Sequence, residues 1–465
     1  MSNVSTQPGV LFEGLFPGPV VARFDQPASS SDGGAVLLSA LDRRLGLSAA
    51  LARRLVDERQ AAKVRHSLRD LVRQRVYGLA CGYEDCNDSA RLRDDPVQKL
   101  LLGRDPLVGE GLASVATLSR FENALSRRAL WELGEAFAEV VVAHHHRRRL
   151  GASVRRVTID LDVTDDPTHG EQQGSLFNGH YREHCLLPLA GFVQFDGERE
   201  QHLVALILRP GNADGRAGAV GLLRRLFRLL RRSFPRAALR VRLDGGFNGP
   251  RLLAFLEGEG VEYVMGADPK DRTPGNRVLE RLAEPLMAEA RRLSEDSGEG
   301  ERVYGEAGYR AGSWRRYRRV IIKAEVTHYG DRPLRDNDRY LVTNLEGDPE
   351  EVYAGIYCLR GEVENRLKEL QYGLKADRLS CHAFTANQFR LILTAAAYAL
   401  MQELRRAASG TAAARWQVST LRERLLKLGA WLQASKRRVT LRLPQDAPWQ
   451  AEWRRAAANL GALAP

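Results

Sequence analysis

The sequence predicts an α/β fold: a mixed sheet with helices on its faces, carrying a β-rich insertion and preceded by a mainly helical N-terminal region. Three observations predict it. Apolar residues recur at helical spacing from about 36 to 150, as in Leu68, Leu71, Val72, Val76 and Leu79. The period then switches to that of a strand at VRRVTIDLDV (154–163), a run rich in β-branched residues. Strand and helix patterns succeed one another from there to about 267, where the rhythm breaks.

The elements read as follows. Residues 1–35 are an extended lead-in with a short apolar strand at Val20 and Val21, ended by SSSDGG. Ser119 to Glu122 has the form of a capping box at a helix start. A long amphipathic run from about 126 ends in HHHRRR, whose adjacent histidines point in different directions; a solvated helix end is expected, not a metal site. After the first strand, LPLAGFVQF (187–195) and HLVALILR (202–209) read as strands joined by a short Gly-containing turn, so they are expected to pair antiparallel. A helix with an arginine face follows (GAVGLLRRLFRLLRRSF). Then come a strand at LRVRLDGG (239–246), a short helix from Pro250 and a strand at EYVMGA (262–267). Residues from about 268 to 350 open with loop formers and pass through a helix. Strand-like runs at Arg315–Val326 and Arg339–Asn344 make this an insertion with β structure. A long helix from about Glu350 to Leu370, a largely apolar helix, a loop at 409–414 and a basic tail with a strand-like RRVTLRL complete the chain. Strand, strand, strand, helix, strand, helix, strand, insertion, helix is the ribonuclease-H-like order. The expected parts are a mainly helical N-terminal region (1–150), a ribonuclease-H-like domain (151–407, insertion about 268–350) and a basic C-terminal region (408–465).

Bulk properties narrow the function. A chain of 465 residues with 44% hydrophobic content suits two or three packed domains. The net charge of +12, spread along the chain, suits a polyanion, with DNA or RNA first among partners; a basic protein without such a partner is the alternative. Five cysteines form no CxxC pair, which argues against a disulfide framework and a structural zinc site, and fits a reducing cytoplasm. No secretory leader is read at the N-terminus, and no run of about 18 apolar residues predicts a membrane span.

The chemistry-bearing residues are acidic. Asp160 and Asp162 lie near the end of the first strand, two apart and hence on one face. Asp244 ends the fourth strand before a Gly-Gly turn, and Glu364 lies on the long helix. Cutting a phosphodiester bond requires a deprotonated nucleophile and a stabilised leaving oxygen. Two divalent ions about 3.5–4 Å apart supply both, held by carboxylate oxygens. The alternative is separate surface charges that cap turns. Tyr357, Arg360, Glu364 and Lys368, spaced three, four and four, share a helix face where an acid can bind metal and its neighbours phosphate. An ordinary solvated face with a Glu364–Lys368 ion pair is the competing reading.

At these residues the sequence resembles a known family, the DDE transposases of bacterial insertion sequences, and more narrowly the branch named after insertion sequence thirteen-eighty. IDLDVTDDPTHGEQQG (159–174), RLDGGF (242–247), YCLRGEVENRLKELQYG (357–373) and DRLSCHAFTANQFRL (377–391) carry the resemblance, with GYEDCNDSARLRDDP (82–96) and TLSRFEN (117–123) in support. It spans about residues 10 to 445, and it implies that region 1–150 binds DNA and that 151–407 is the catalytic domain. The resemblance implies Asp162, in an Asp-x-Thr motif, as the first metal-binding catalytic acid in preference to Asp160, with Asp244 and Glu364 as the second and third. It also implies Tyr357 and Arg360 as phosphate-positioning residues. The lysine of the clan's Tyr-Arg-Glu-Lys pattern is replaced by Gln371, so Lys368 or Lys375 is expected to take its phosphate contact, or strand binding is weakened. Trp314 lies in the insertion, where relatives place an aromatic that stacks on an unpaired base; packing in the insert's own core is slightly preferred. Asp165 and Asp166 read as a turn, in preference to groups that support the metal ligands from behind; His169, His180 and His184 read as loop histidines, and Asn365 and Arg366 as neighbours of DNA. The resemblance further implies two Mg²⁺ ions (or Mn²⁺), cleavage at terminal inverted repeats, 3′-end transfer to target DNA, a homodimer on DNA, no membrane, and a bacterial cytoplasmic, nucleoid-associated setting. The rival readings are a ribonuclease-H-like nuclease without strand transfer and a catalytically silent DNA-binding derivative.

Overall fold

The computed structural model describes residues 10–12, 16–149, 153–267, 276–328, 334–435 and 437–462. The loop-forming start of the insertion lies outside them. The chain is mixed α/β and divides into two compact units: residues 1–44, 58–121 and 403–465 in the first, 45–57 and 122–402 in the second.

The second unit holds the large sheet. Its strands are β1 (Arg156–Val163), β2 (Leu189–Phe195), β3 (His202–Ile207), β4 (Ala238–Leu243), β5 (Glu262–Ala267), β6 (Arg302–Tyr309), β7 (Arg318–Thr327) and β8 (Arg339–Thr343). Its helices are α1 (Arg127–Arg148), α2 (Ala219–Ser233), α3 (Pro250–Gly258), α4 (Asn276–Ser297), α5 (Gly361–Lys368) and, up to Gln402, α6 (Phe384–Ala407). The order across the sheet is β6-β7-β8-β5-β4-β1-β2-β3, with a two-residue strand, Arg335–Asp336, beside β7. β1, β4 and β5 run parallel; β2 and β3 extend the sheet antiparallel, as expected. Six successive residues of β1 and all seven of β2 are buried, as central strands covered on both faces require. The β2–β3 turn is fixed by Gly197 at φ 76° and by Asp196, whose carboxylate accepts the Arg155 and Arg156 amides at 2.8 and 2.9 Å.

The insertion does not fold apart. β8 pairs antiparallel with β5, Val264 opposite Thr343, so the open edge of the parallel trio is continued by insert strands. β6 was not expected; its residues are mostly half-exposed, so the outermost strand lacks the burial that imposes alternation. At the other edge, β3 is covered by side chains of α6. Gln388 accepts from Leu208 N at 2.7 Å and donates to Leu206 O at 3.1 Å, and Gln402 donates to Gln201 O at 2.6 Å.

One helix is refined in type, and three local expectations are corrected. The helix expected from Glu350 to Leu370 is π-helical at Glu351–Tyr357, tightens to a 3₁₀ turn at Cys358–Arg360, becomes α5, and widens again at Glu369–Gly373. Ser119 lies inside the helix Val115–Asn123; the capping box is formed instead by Ser67 and Asp70 at Leu68–Ala80. His144 and His145 are buried, not solvated: α1 packs on β3, and the His145 ring lies 3.8 Å from that of His202 between centroids. Burial, then the neighbouring His202 and His144, hold the His145 pKa well below the usual value. Asp166 is only 1% exposed and lies in a short strand of a small three-stranded sheet with Leu176–Asn178 and Glu183–Leu186.

The first unit joins both ends of the chain. Ala430–Ala434 pairs with Val439–Arg442 and with Ser29–Ser30. Asp32, fully buried, takes hydrogen bonds from Lys427 at 2.8 Å and Gln98 at 2.7 Å. A Cβ at Gly34 would lie 1.7 Å from Leu425 O, so only glycine fits that approach. The residues read as a separate basic C-terminal region therefore pack with the N-terminal helices. Among the described residues no helix is long and apolar enough to cross a membrane.

Candidate active site

The two aspartates that share a face of β1 have different fates. Asp160 is fully buried and gripped by Arg242 from the adjacent parallel strand. Nε and Nη2 donate to its two carboxylate oxygens at 2.8 Å each, and Gln201 donates to Oδ2 at 3.0 Å. Arg242 also donates to Gln194 at 3.0 Å and to Ile356 O at 3.1 Å, which ties the π-helical stretch to the sheet. Asp160 is thus committed to structure.

Asp162 lies at the open end of β1, 7% exposed, with Oδ1 accepting from Val163 N at 2.9 Å. The parallel register places Arg242 opposite Asp160, so Asp244, just past β4, arrives next to Asp162. One nitrogen joins them: Arg360 Nη2 is 3.1 Å from Asp162 Oδ2 and 3.2 Å from Asp244 Oδ2. Burial pushes the Asp162 carboxyl up to about 6; Arg360 opposes this, and Asp244 and Glu364 add to it. Burial pulls the Arg360 guanidinium down, but Asp162 and Asp244 outweigh it and hold it above its ordinary value.

The turn after Asp244 needs small neighbours. A Cβ at Gly266 on β5 would meet Gly245 N at 2.7 Å and the Tyr357 hydroxyl at 3.0 Å. Tyr357 is accordingly half-buried, packed beside Val264, Ile321 and Leu341. Glu364 and Lys368 are exposed on α5. Trp314 is 8% exposed, edge-on to Tyr309 and under the Arg318 guanidinium, so the insert's own side chains surround it. Tyr317, three residues on, is the aromatic 70% exposed on that hairpin. Gln371 donates to Thr164 Oγ1 at 2.6 Å and Asp165 O at 3.2 Å, which braces the segment after Asp162. Arg366 pairs with Glu369 at 3.0 Å.

Sequence reasoning brought out Asp162, Asp244 and Arg360, which the structure brings together. It missed Arg242, Gly266 and the bracing role of Gln371. Only the position of Arg242 opposite an acid on a neighbouring strand could have flagged it, and that position depends on the register.

Asp162 and Asp244 suit a hard divalent cation: both offer oxygen, and Asp244 Oδ1 is buried without a hydrogen-bond partner. Among the described residues no three His, Cys, Asp or Glu side chains stand together as a ligand set, because Glu364 points to solvent.

No curated protein matches the chain. The family model described as "Transposase DDE domain group 1" matches residues 12–465. That span takes in β1, β4, α5 and parts of the first unit from both ends of the chain, and the chain therefore belongs to this family of DDE transposases.

Proposed function

We propose that the protein cuts DNA at the terminal inverted repeats of a bacterial insertion sequence of the thirteen-eighty branch and transfers the 3′ end to target DNA. The observation that carries this is the meeting of Asp162 and Asp244 at the ends of neighbouring parallel strands, with a buried carboxylate oxygen left free. The strand order β3-β2-β1-β4-β5, parallel only among β1, β4 and β5, supports a ribonuclease-H-like core.

Asp162 and Asp244 would hold Mg²⁺ or Mn²⁺, with Glu364 as third ligand once α5 is drawn towards DNA. A divalent ion pair supplies a deprotonated attacking oxygen and charge for the leaving oxygen. The protein's own contributions are distinct. The Arg242 network fixes the strand ends and the segment before Tyr357. Tyr357, Arg360 and Lys368 contact phosphate, Arg360 with the forked geometry that phosphate matches. Gln371 stands where the clan has lysine and braces Thr164 instead, which shifts that phosphate contact to Lys368. Two copies act on the paired ends as a homodimer.

The test is cleavage of a labelled duplex carrying the flanking repeats, with Mg²⁺ or with EDTA, by the parent and by Glu364→Gln. Mg²⁺-dependent cuts at the repeat tips, lost in Glu364→Gln, are expected. Repeat binding without any cutting by the folded parent would favour a silent DNA-binding derivative. Cutting that persists in Glu364→Gln would displace that residue from the ligand set.

A further inference from the structure

Two arginines, one buried and one half-buried, meet acids at the strand ends, and they are held in contrasting ways. Arg242 is locked: Nε and Nη2 clasp both oxygens of Asp160, while Nη1 reaches Ile356 O. Arg360 touches Asp162 and Asp244 through Nη2 alone, and its Nε is buried with no hydrogen-bond partner. It also stands at the end of the 3₁₀ turn between the π-helical stretch and α5, where the regular helical ladder is already interrupted. Such a break lets a side chain be re-aimed without dismantling a continuous helix.

The position of Nη2 matters. It takes one oxygen of each acid, Asp162 Oδ2 and Asp244 Oδ2, and leaves Asp244 Oδ1 as the free one. A divalent ion binds carboxylate oxygen at about 2.0–2.6 Å. It cannot take both oxygens while a guanidinium nitrogen stands between them, and two cations packed there would repel each other.

We infer that Arg360 is an internal counter-ion that stands in for the cation in the metal-free protein, and that cation loading expels it from between Asp162 and Asp244. The inference rests on those two aspartates being cation ligands. Once expelled, the guanidinium is free to fork onto a DNA phosphate. A phosphate that draws Arg360 away favours cation binding, and by linkage the cation favours phosphate binding to the same degree. The residue that neutralises the two aspartates thereby couples the arrival of metal to the arrival of DNA.

The experiment is calorimetric titration of the full chain with Mn²⁺, without DNA, for the parent, Arg360→Gln and Arg360→Lys. Removing the competing charge is expected to tighten Mn²⁺ binding about tenfold in Arg360→Gln. Arg360→Lys, which keeps a cation, should stay near the parent. Metal-free Arg360→Gln should also melt lower than the parent and recover on adding Mn²⁺. Unchanged or weaker Mn²⁺ binding in folded Arg360→Gln would overturn the counter-ion role and leave the ligands standing. No Mn²⁺ binding by either parent or Arg360→Gln would overturn the ligand reading itself. If Arg360→Gln fails to fold, the parent alone decides. Mn²⁺ should raise phenylglyoxal labelling of Arg360, read by mass spectrometry, and unchanged labelling would contradict the proposal.

Discussion

Arg242 and Asp160 form the most deeply buried ion pair at the site, 2% and 0% exposed at the side chain. Removing one partner of such a pair strands a charge in a low-dielectric interior, at a cost of about 3–5 kcal/mol, whereas replacing both with apolar groups of like volume is often near neutral. Arg242→Met should therefore lower the denaturant midpoint sharply, and adding Asp160→Leu should restore part of the loss. Equal losses in the single and double variants would show that the arginine's bonds to Gln194 and Ile356 matter more than charge. Asp166 gives a pH prediction. Burial, then Asp377, pushes its carboxyl up to about 8 from 3.8, against the opposing pull of the Leu379 amide and Arg390. The folded chain thus retains a proton that the unfolded chain releases. Its contribution to stability is present at low pH and is lost as pH rises from about 4 to about 8. Asp166→Asn should flatten the decline in melting temperature across that window; an unchanged pH profile would contradict the assignment. The sequence reads this residue as part of a turn after the first motif. Its burial depends on pairing with Leu186 in a short strand that has no local signal.

The element scale separates what the sequence carries from what it does not. β1 and β4 were legible from the strict alternation of Val157, Ile159, Leu161 and of Leu239, Val241, Leu243 with polar residues, β2 and β5 from their largely apolar runs, and α2 because its stripe of Leu222, Leu226 and Leu230 faces the core. β6 was not, since an edge strand with half-exposed residues obeys no strict alternation. The breaks around Arg360 were also hidden, as helical propensity does not distinguish π, 3₁₀ and α turns. The histidines of α1 looked solvated because only the packing of α1 on β3 buries them. Gln388 and Gln402 show a related device: amide side chains occupy the backbone groups of edge strand β3. Gln388→Ala strands Leu208 N and Leu206 O and should cost about 1–3 kcal/mol in chemical denaturation. A smaller effect would mean that the edge is satisfied in another way. Gly266→Ala should displace the Asp244 turn and the Tyr357 ring, reducing DNA cleavage more than it reduces stability; unchanged cleavage would contradict that packing.

At the scale of the whole molecule, the ends of the chain share one unit that no linear reading of composition foretold. The strand from Ser29 to Ser30 and the approach of Gly34 to Leu425 exist only once the chain has closed on itself. Gly34→Ala should therefore unfold the first unit in limited proteolysis, releasing fragments from both ends together; release from one end alone would contradict this arrangement. The net charge of +12 makes a further prediction. DNA affinity should fall steeply with the logarithm of salt concentration, through counterion release. The central claim is that Asp162 and Asp244 form the centre of a strand-transferring enzyme. It is tested most directly by mixing pre-cut element ends with supercoiled target DNA and Mg²⁺, and comparing the parent with Asp244→Asn. The account predicts covalently joined products from the parent. Asp244→Asn should bind the ends equally well and yield at least about a thousandfold less product, about 4 kcal/mol of barrier. Joined products of similar yield from Asp244→Asn would contradict it.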